Sequence, residues 1–294
     1  MKKQFLLLLT CLLLVGCSTN KATSVSDKDA IVFQIGDKKI TRSTLYQTML
    51  YNNGANTVMT KIRDILLEEK IQFTEEDHAE MLADFEQLKS DFGDSFTLLV
   101  TSYGFKDEQD YYENAFVPSY RAKMLSELYI MENITKISFD LKPVKVNYAF
   151  VMQNEELAYE IAQKLNDGMS FEELALEYQN VDNLDIKLNT LFYKNMGNDS
   201  SAYEPVYTYA SSVSEIGPYY NVEYDFVTDS HFVYELLAND IETFQDEFID
   251  YYAKTDTAVF SEAFKYFLKE GKFTIFDKML YDTFLELYAD YLSQ

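Results

Sequence analysis

Histidine and cysteine are almost missing from this 294-residue chain, which has two of each. Both cysteines, Cys11 and Cys17, fall in the first 17 residues. The rest of the chain therefore has no thiol for a disulfide, a Cys-based metal site or a nucleophile. Only four prolines and nine glycines interrupt the sequence, a scarcity that argues for a helix-rich chain with few tight turns. Cations are short too, with 25 Lys and Arg against 49 Asp and Glu. Such an acidic surface repels phosphate backbones and anionic headgroups, so no nucleic acid partner is expected. Its plain consequence is solubility, with at most a weak preference for basic or unfolded partners. The sequence holds no Gly-rich phosphate loop, His-Glu-x-x-His site, EF-hand pattern or internal repeat, and no metal or other cofactor is expected.

What is present is apolar and aromatic. With 47% apolar residues, 22 Phe and 24 Tyr, the chain can build true cores and is not mainly disordered. Its length predicts two or three units. Near the start, Lys2 and Lys3 precede an apolar run from Phe5 to Val15. That run is too short for a bilayer span of about 20 residues and has the architecture of a signal peptide. It closes on Leu14-Val15-Gly16-Cys17, which resembles the lipobox of bacterial lipoproteins. The resemblance implies cleavage before Cys17 and lipidation of its thiol, giving an anchor on the outer face of a membrane. Two acyl chains at about 0.8 kcal/mol per buried methylene suffice for stable anchoring. Processing would leave 23 Lys and Arg against 49 acids, a formal charge of −26. Residues 1–16 are thus expected to be a signal peptide, and 17–28 a flexible polar tether.

Helical periodicity then dominates. Ile31 to Ile35 predicts a strand, Gly36-Asp37 a turn, and Thr41 the cap of a helix carrying Leu45, Met49 and Leu50. Further helices are expected over Val58–Lys70, from a Thr74-x-x-Asp77 cap to Gly93, over Phe96–Tyr103, and over Asp107–Ile134 with a break or kink at Pro118. Together 29–143 predicts a mainly helical lobe. After it, Val146, Tyr148, Phe150 and Met152 alternate as a strand, and Leu157, Ile161 and Leu165 recur at helical spacing. Gly168 follows as a helix stop, and Ser170 and Glu173 form a capping box for a helix with Phe171, Leu174 and Ala175 inward. Residues 180–201 are polar and poorly periodic, Tyr203 to Ala210 predicts a short helix, and His231 to Leu237 alternates as a strand. C-terminal helices follow, the last capped by Asp277 and carrying Leu280, Phe284, Leu287 and Tyr291. Those stripes have no sheet of their own to cover, so residues 241–294 are expected to complete the N-terminal lobe.

Tyr148-Ala149-Phe150-Val151, Gly168 and Phe171-Glu-Glu-Leu174-Ala175-Leu-Glu-Tyr178 resemble the opening of a parvulin-type prolyl isomerase domain. His231-Phe-Val-Tyr-Glu-Leu-Leu237 resembles its closing strand, and Ser214 to Pro218 the turn before its last strands. Ile35-Gly-Asp-Lys-Lys-Ile-Thr41 resembles the entry of the SurA and PrsA foldases, and the order of lipobox, helical lobe, parvulin-like insert and returning helices is similar to the PrsA foldases. The resemblance implies an α+β, mainly α fold: a discontinuous helical chaperone lobe with an inserted parvulin-like domain, residues 144–240, built on a small antiparallel sheet. It implies a lipid-anchored extracytoplasmic protein of a Gram-positive bacterium whose partners are unfolded or newly secreted polypeptides; a homodimer stays open.

A parvulin pocket uses two inward histidines, an acid or thiol, and a Met/Phe wall for the proline ring. By position the first histidine corresponds to Tyr148 and the second to His231, the catalytic candidates. The Gly-rich loop with its acid falls near Ile186 to Phe192, which contains no glycine, and the wall maps to Tyr203 and Tyr207. A tyrosine donates a hydrogen bond at neutral pH but cannot switch tautomer as imidazole does. The expected function is therefore a foldase with weak or absent isomerase activity. The alternatives are an active isomerase using His231, and a ligand-binding lipoprotein, against which the absence of two alternating βα lobes counts. His78, beside Asp77 and Glu80, is expected to be a solvent-facing helix residue.

Overall fold

The computed structural model describes residues 25–196 and 202–292. Along the chain it places β1 (Ile31–Ile35), β2 (Lys38–Thr41), α1 (Arg42–Met49), α2 (Ala55–Lys70), α3 (Glu75–Phe92), α4 (Phe96–Ser102), α5 (Glu108–Tyr111), α6 (Val117–Glu132) and α7 (Ile134–Leu141). There follow β3 (Val144–Met152), α8 (Glu155–Asn166), α9 (Phe171–Glu177), β4 (Leu184–Phe192), α10 (Tyr203–Ala210), β5 (Gly217–Asp225) and β6 (Ser230–Ala238). The chain closes with α11 (Gln245–Thr255), α12 (Thr257–Glu270) and α13 (Lys278–Tyr288). The fold is α+β and mainly helical with a small antiparallel sheet, as the sequence implied. Among the described residues no helix is long and apolar enough to cross a membrane.

Packing divides the chain into two units, one of residues 1–118 with 264–294 and one of residues 119–263. These bounds fall inside α6 and α12. The sequence reading divides the chain instead after Pro143 and after Asp240. The difference has a physical reason: Ile130 of α6 and Phe248 of α11 are fully buried in one core with the sheet residues Val146 and Phe232.

In the first unit the local signals act as the residues dictate. Thr41 caps α1 by accepting the Thr44 N–H, and Thr74 with Asp77 forms a reciprocal capping box on α3. Gly93 ends α3 at φ +50°, a conformation open to glycine at little cost. Pro118 sits in the first turn of α6, where its missing N–H is harmless, and a π-helical turn over Tyr112–Phe116 absorbs the interruption. One small core gathers Phe85, Phe96 and Val100. Another is closed by α13, whose Phe284 is fully buried beside Ala55 and Ile275. Lys70 pairs with Glu270 (2.5 Å) and lies over the Phe267 ring.

In the second unit four antiparallel strands run in the order β4-β3-β6-β5. Because side chains alternate across a strand, the two faces of β3 feed different cores. Ala149 and Val151, with Val233 of β6, meet α8 and α9. Val146, Tyr148 and Phe150, with Phe232, Tyr234 and Leu236, meet α10, α6 and α11. Gly168 leaves α8 at φ +101°, and the Ser170–Glu173 capping box opens α9 as expected. The polar, poorly periodic stretch after α9 nevertheless holds a strand, β4 over Leu184–Phe192. A bulge hides that strand in the sequence: between Val146 and Tyr148 the partner strand spends one extra residue, and Asn189 turns to φ +52°. The buried Asn147 accepts the freed Asn189 N–H (2.8 Å) and donates to Glu235 (3.0 Å), so the bulge keeps its polar groups satisfied.

Candidate functional site

Tyr148 lies in the middle of β3, opposite Tyr234 of β6, and is 2% exposed. Its hydroxyl donates to the Asp185 carboxylate (3.1 Å), and its ring stacks on Phe192 at 5.8 Å. Phe192 meets Tyr203 edge-on at 5.5 Å, and Tyr203 stacks on Tyr207 at 5.6 Å. The three tyrosines singled out from the sequence thus form one continuous aromatic run. They share the sheet face against which α10 packs.

That face is filled. Helix α10 delivers Tyr203, Val206, Tyr207 and Ala210 into the core, all buried. The Tyr203 hydroxyl donates to the Tyr193 carbonyl (2.7 Å) and accepts the Met196 N–H (3.0 Å). The Tyr207 hydroxyl donates to the Leu141 carbonyl (3.0 Å). These bonds tie α10 to the ends of β4 and α7. Burial raises the Tyr203 phenol above its usual range and pushes that of Tyr207 up to about 12. Both groups are neutral donors at any physiological pH, and both rings are buried, Tyr203 at 6% and Tyr207 at 8% exposure.

His231 does not join them. It pairs with Val151 on β3 and Tyr224 on β5, one residue out of phase with Phe232 and Tyr234. A shift of one residue moves a strand side chain to the opposite face. His231 therefore stands on the α8 side of the sheet, where the Tyr224 ring lies against it at 4.8 Å. Its Nδ1 is buried without a hydrogen-bond partner among the described residues. Tyr148 and His231 cannot act on one substrate atom from opposite faces, so the pairing expected from the sequence is not assembled. On β6 the side chains sharing the Tyr148 face include Phe232, Tyr234 and Leu236, all buried.

The stretch Ile186 to Phe192, expected to stand in for the Gly-rich loop, is regular strand apart from its bulge. The carboxylate nearest to acting as a pocket acid is Asp185, which the sequence reading missed by one residue. Its signal was the alternation of Leu184, Ile186 and Leu188, which puts Asp185 on the Tyr148 side; the break after Leu188 concealed it. His78 is exposed in the first turn of α3, edge-on to Phe73 at 5.2 Å. Cys17 and the residues around it lie outside the described residues.

This geometry can be set beside known proteins. No family model matches the chain. Over 173 residues it is 30% identical to foldase protein PrsA 2 of Bacillus cereus, covering 57% of this chain and 55% of that one. It is 28% identical over 173 residues to foldase protein PrsA 2 of Bacillus anthracis, with the same two shares, 57% and 55%. Over this stretch the chain is similar in sequence to PrsA-type foldases. It spans about half the length of the curated relatives it matches. A crystal structure of the PrsA peptidylprolyl isomerase of Bacillus cereus aligns with a TM-score of 0.45 at 19% identity, covering 89% of this chain and 99% of that one.

Proposed function

We propose that this chain is a foldase that holds unfolded secreted polypeptides and is a poor prolyl isomerase, anchored by a lipid on Cys17 at the outer face of the cell membrane. One observation carries the isomerase half of the reading: the sheet face bearing Tyr148 is filled by buried aromatic rings while His231 stands on the other face. Rotation about a prolyl bond crosses ~18–20 kcal/mol, and lowering it needs polar groups around a seated proline ring. A filled face offers neither seat nor groups. Holding a client asks for less, namely apolar surface. The first unit exposes Ile35, Leu98 and Tyr103 at 76%, 73% and 69%, with Ile31, Val32 and Phe33 along β1. Similarity to the PrsA-type foldases supports the holding role, and the Leu-Val-Gly-Cys run supports the anchor.

The test is a proline-limited refolding reaction followed beside an aggregating client. The protein should leave the slow phase, tens to hundreds of seconds, unchanged and still delay aggregation. An acceleration abolished by His231→Ala would overturn the reading in favour of an active isomerase. The buried Nδ1 of His231, without a hydrogen-bond partner among the described residues, is the observation that favours that second reading.

A further inference from the structure

Helix α7 ends at Leu141, and Lys142 takes a left-handed conformation (φ 46°, ψ 60°) that turns the chain into Pro143 and β3. This corner, the Val213-Ser214 loop before β5 and the Asn239-Asp240-Ile241 segment after β6 enclose a groove of about 880 Å3. All of it belongs to the second unit. Pro143 and Val144 are buried at its base, and the half-buried Val213 and Ile241 rest on the main core. Phe139 stands in the wall at 78% exposure. Asn239 holds the opposite wall by donating to the Val213 carbonyl (3.4 Å) and the Ser214 carbonyl (3.1 Å).

The charge of the groove runs against that of the chain. Lys136 and Lys142 both line it, both are exposed, and neither forms an ion pair among the described residues. Other lysines, among them Lys38, Lys106 and Lys269, also form no ion pair among the described residues; the groove differs in setting two lysines against one acid, in a chain with 49 acids and 25 Lys and Arg. The one acid in the lining is Asp240, whose side chain accepts the Glu242 N–H (3.1 Å). Asp140, on the same helix as Lys136, does not line the groove.

We infer that this groove is a docking site for an extended polypeptide segment that carries an aromatic or branched aliphatic side chain flanked by carboxylates. The apolar residue lies between Phe139 and the Val144, Val213 and Ile241 floor, and the carboxylates meet Lys136 and Lys142. Charge complementarity selects this occupant: an acidic segment is repelled by the rest of a surface of formal charge −24 and welcomed here. A basic segment meets the reverse. The inference deepens the foldase reading and rests on it for the biological source of the segment.

The experiment uses the full mature chain and two fluorescently labelled peptides, one of Asp-Phe-Asp-Leu repeats and one with Lys in place of Asp, followed by anisotropy. The acidic peptide should bind more tightly than the basic one, and more weakly as salt rises. The pair Lys136→Glu with Lys142→Glu should weaken the acidic peptide roughly tenfold, since two exposed ion pairs become two repulsions. Phe139→Ser should weaken both peptides. All three residues are exposed, so the variants should keep the parent's circular dichroism spectrum. Equal binding of the two peptides by the parent protein, or acidic-peptide binding untouched by both variants, would overturn the inference. Self-association broken by the same variants, with no peptide binding, would overturn the occupant and make it a second copy. Aggregation suppression measured in parallel keeps the two readings apart: protection that persists without peptide binding sinks the groove alone, and absent protection in the parent sinks the foldase.

Discussion

Phe284→Ala tests whether the C-terminal helix completes the first unit. The ring is 0% exposed and makes tilted contacts with Phe273 at 5.6 Å and Tyr288 at 5.1 Å. Its neighbours in the cluster are the buried Ala55 of α2 and Ile275, which precedes α13. Removing a buried Phe ring typically costs about 3–5 kcal/mol, a transfer loss plus a cavity. Around Phe284 the surrounding Val58, Met59, Ile62 and Leu280 are only partly buried, so the site can settle inward and the lower end is expected. About 3 kcal/mol is a large share of a domain stability of roughly 5–15 kcal/mol. Leu287, on the same helix but 58% exposed, is the matched control, and Leu287→Ala should cost less than about 0.5 kcal/mol. Native-state hydrogen exchange gives the readout. Amides of α2 should exchange roughly a hundredfold faster in Phe284→Ala, and those of β3 and β6 at the parent rate. Unchanged α2 exchange, or equal effects of the two substitutions, would refute the assignment of α13 to this core.

Three other outcomes are expected. Cys17→Ala should shift the protein from the membrane fraction to the medium or leave it unprocessed, and retention with no lipid label lost would sink the anchor. Asn147→Leu strands the Asn189 N–H in the bulge and should cost about 1–3 kcal/mol in chemical denaturation, more than Ser170→Ala at about 1 kcal/mol; equal costs would deny Asn147 its bracing role. Burial pushes the Tyr207 and Tyr234 phenols up to about 12, so the folded state holds protons that the unfolded chain releases near its ordinary value of 10. Stability is thus fully present below pH 10 and is lost as pH rises towards 12. Exposed tyrosines ionise first, and the last, delayed part of the tyrosinate absorbance should grow together with the loss of strand signal; complete tyrosine ionisation in an intact sheet would contradict that burial.

The readable parts of this chain were those whose signal is local. A capping box needs two residues three apart, so Thr74 with Asp77 and Ser170 with Glu173 announce their helices without reference to the rest of the fold. Gly93 and Gly168 mark helix ends because the chain there needs positive φ. Signals that depend on tertiary contact were read less well. The last helix turns Tyr281 and Tyr288 towards its core and leaves Leu287 in solvent, because Phe284 fixes the rotation and the tyrosines can bury rings while their hydroxyls stay wet. The Tyr288 hydroxyl indeed donates to Asn56 (2.6 Å). Strand β4 was lost to a bulge whose support comes from Asn147, 42 residues earlier in the chain.

The face of His231 was the least legible feature of all, and it decides the chemistry. In a strand with one wet side, alternation of polar and apolar residues tells which side a histidine takes. Strand β6 gives no such clue, since Phe232, Val233 and Tyr234 are all buried and the sheet is covered on both faces. Resemblance by order alone can then slip by one residue without penalty to any apolar position. In the structure Phe232 and Tyr234 share the face of Tyr148, and their rings meet Tyr209 at 5.3 Å and Tyr219 at 4.9 Å. Rings packed so closely against their neighbours belong to a core that behaves like a solid. The strand order, the helix stop and the capping box thus say nothing about which side chains face the Tyr148 side of the sheet. What remains open to a partner is the outer surface of that scaffold, where Phe139, Lys136 and Lys142 already stand exposed.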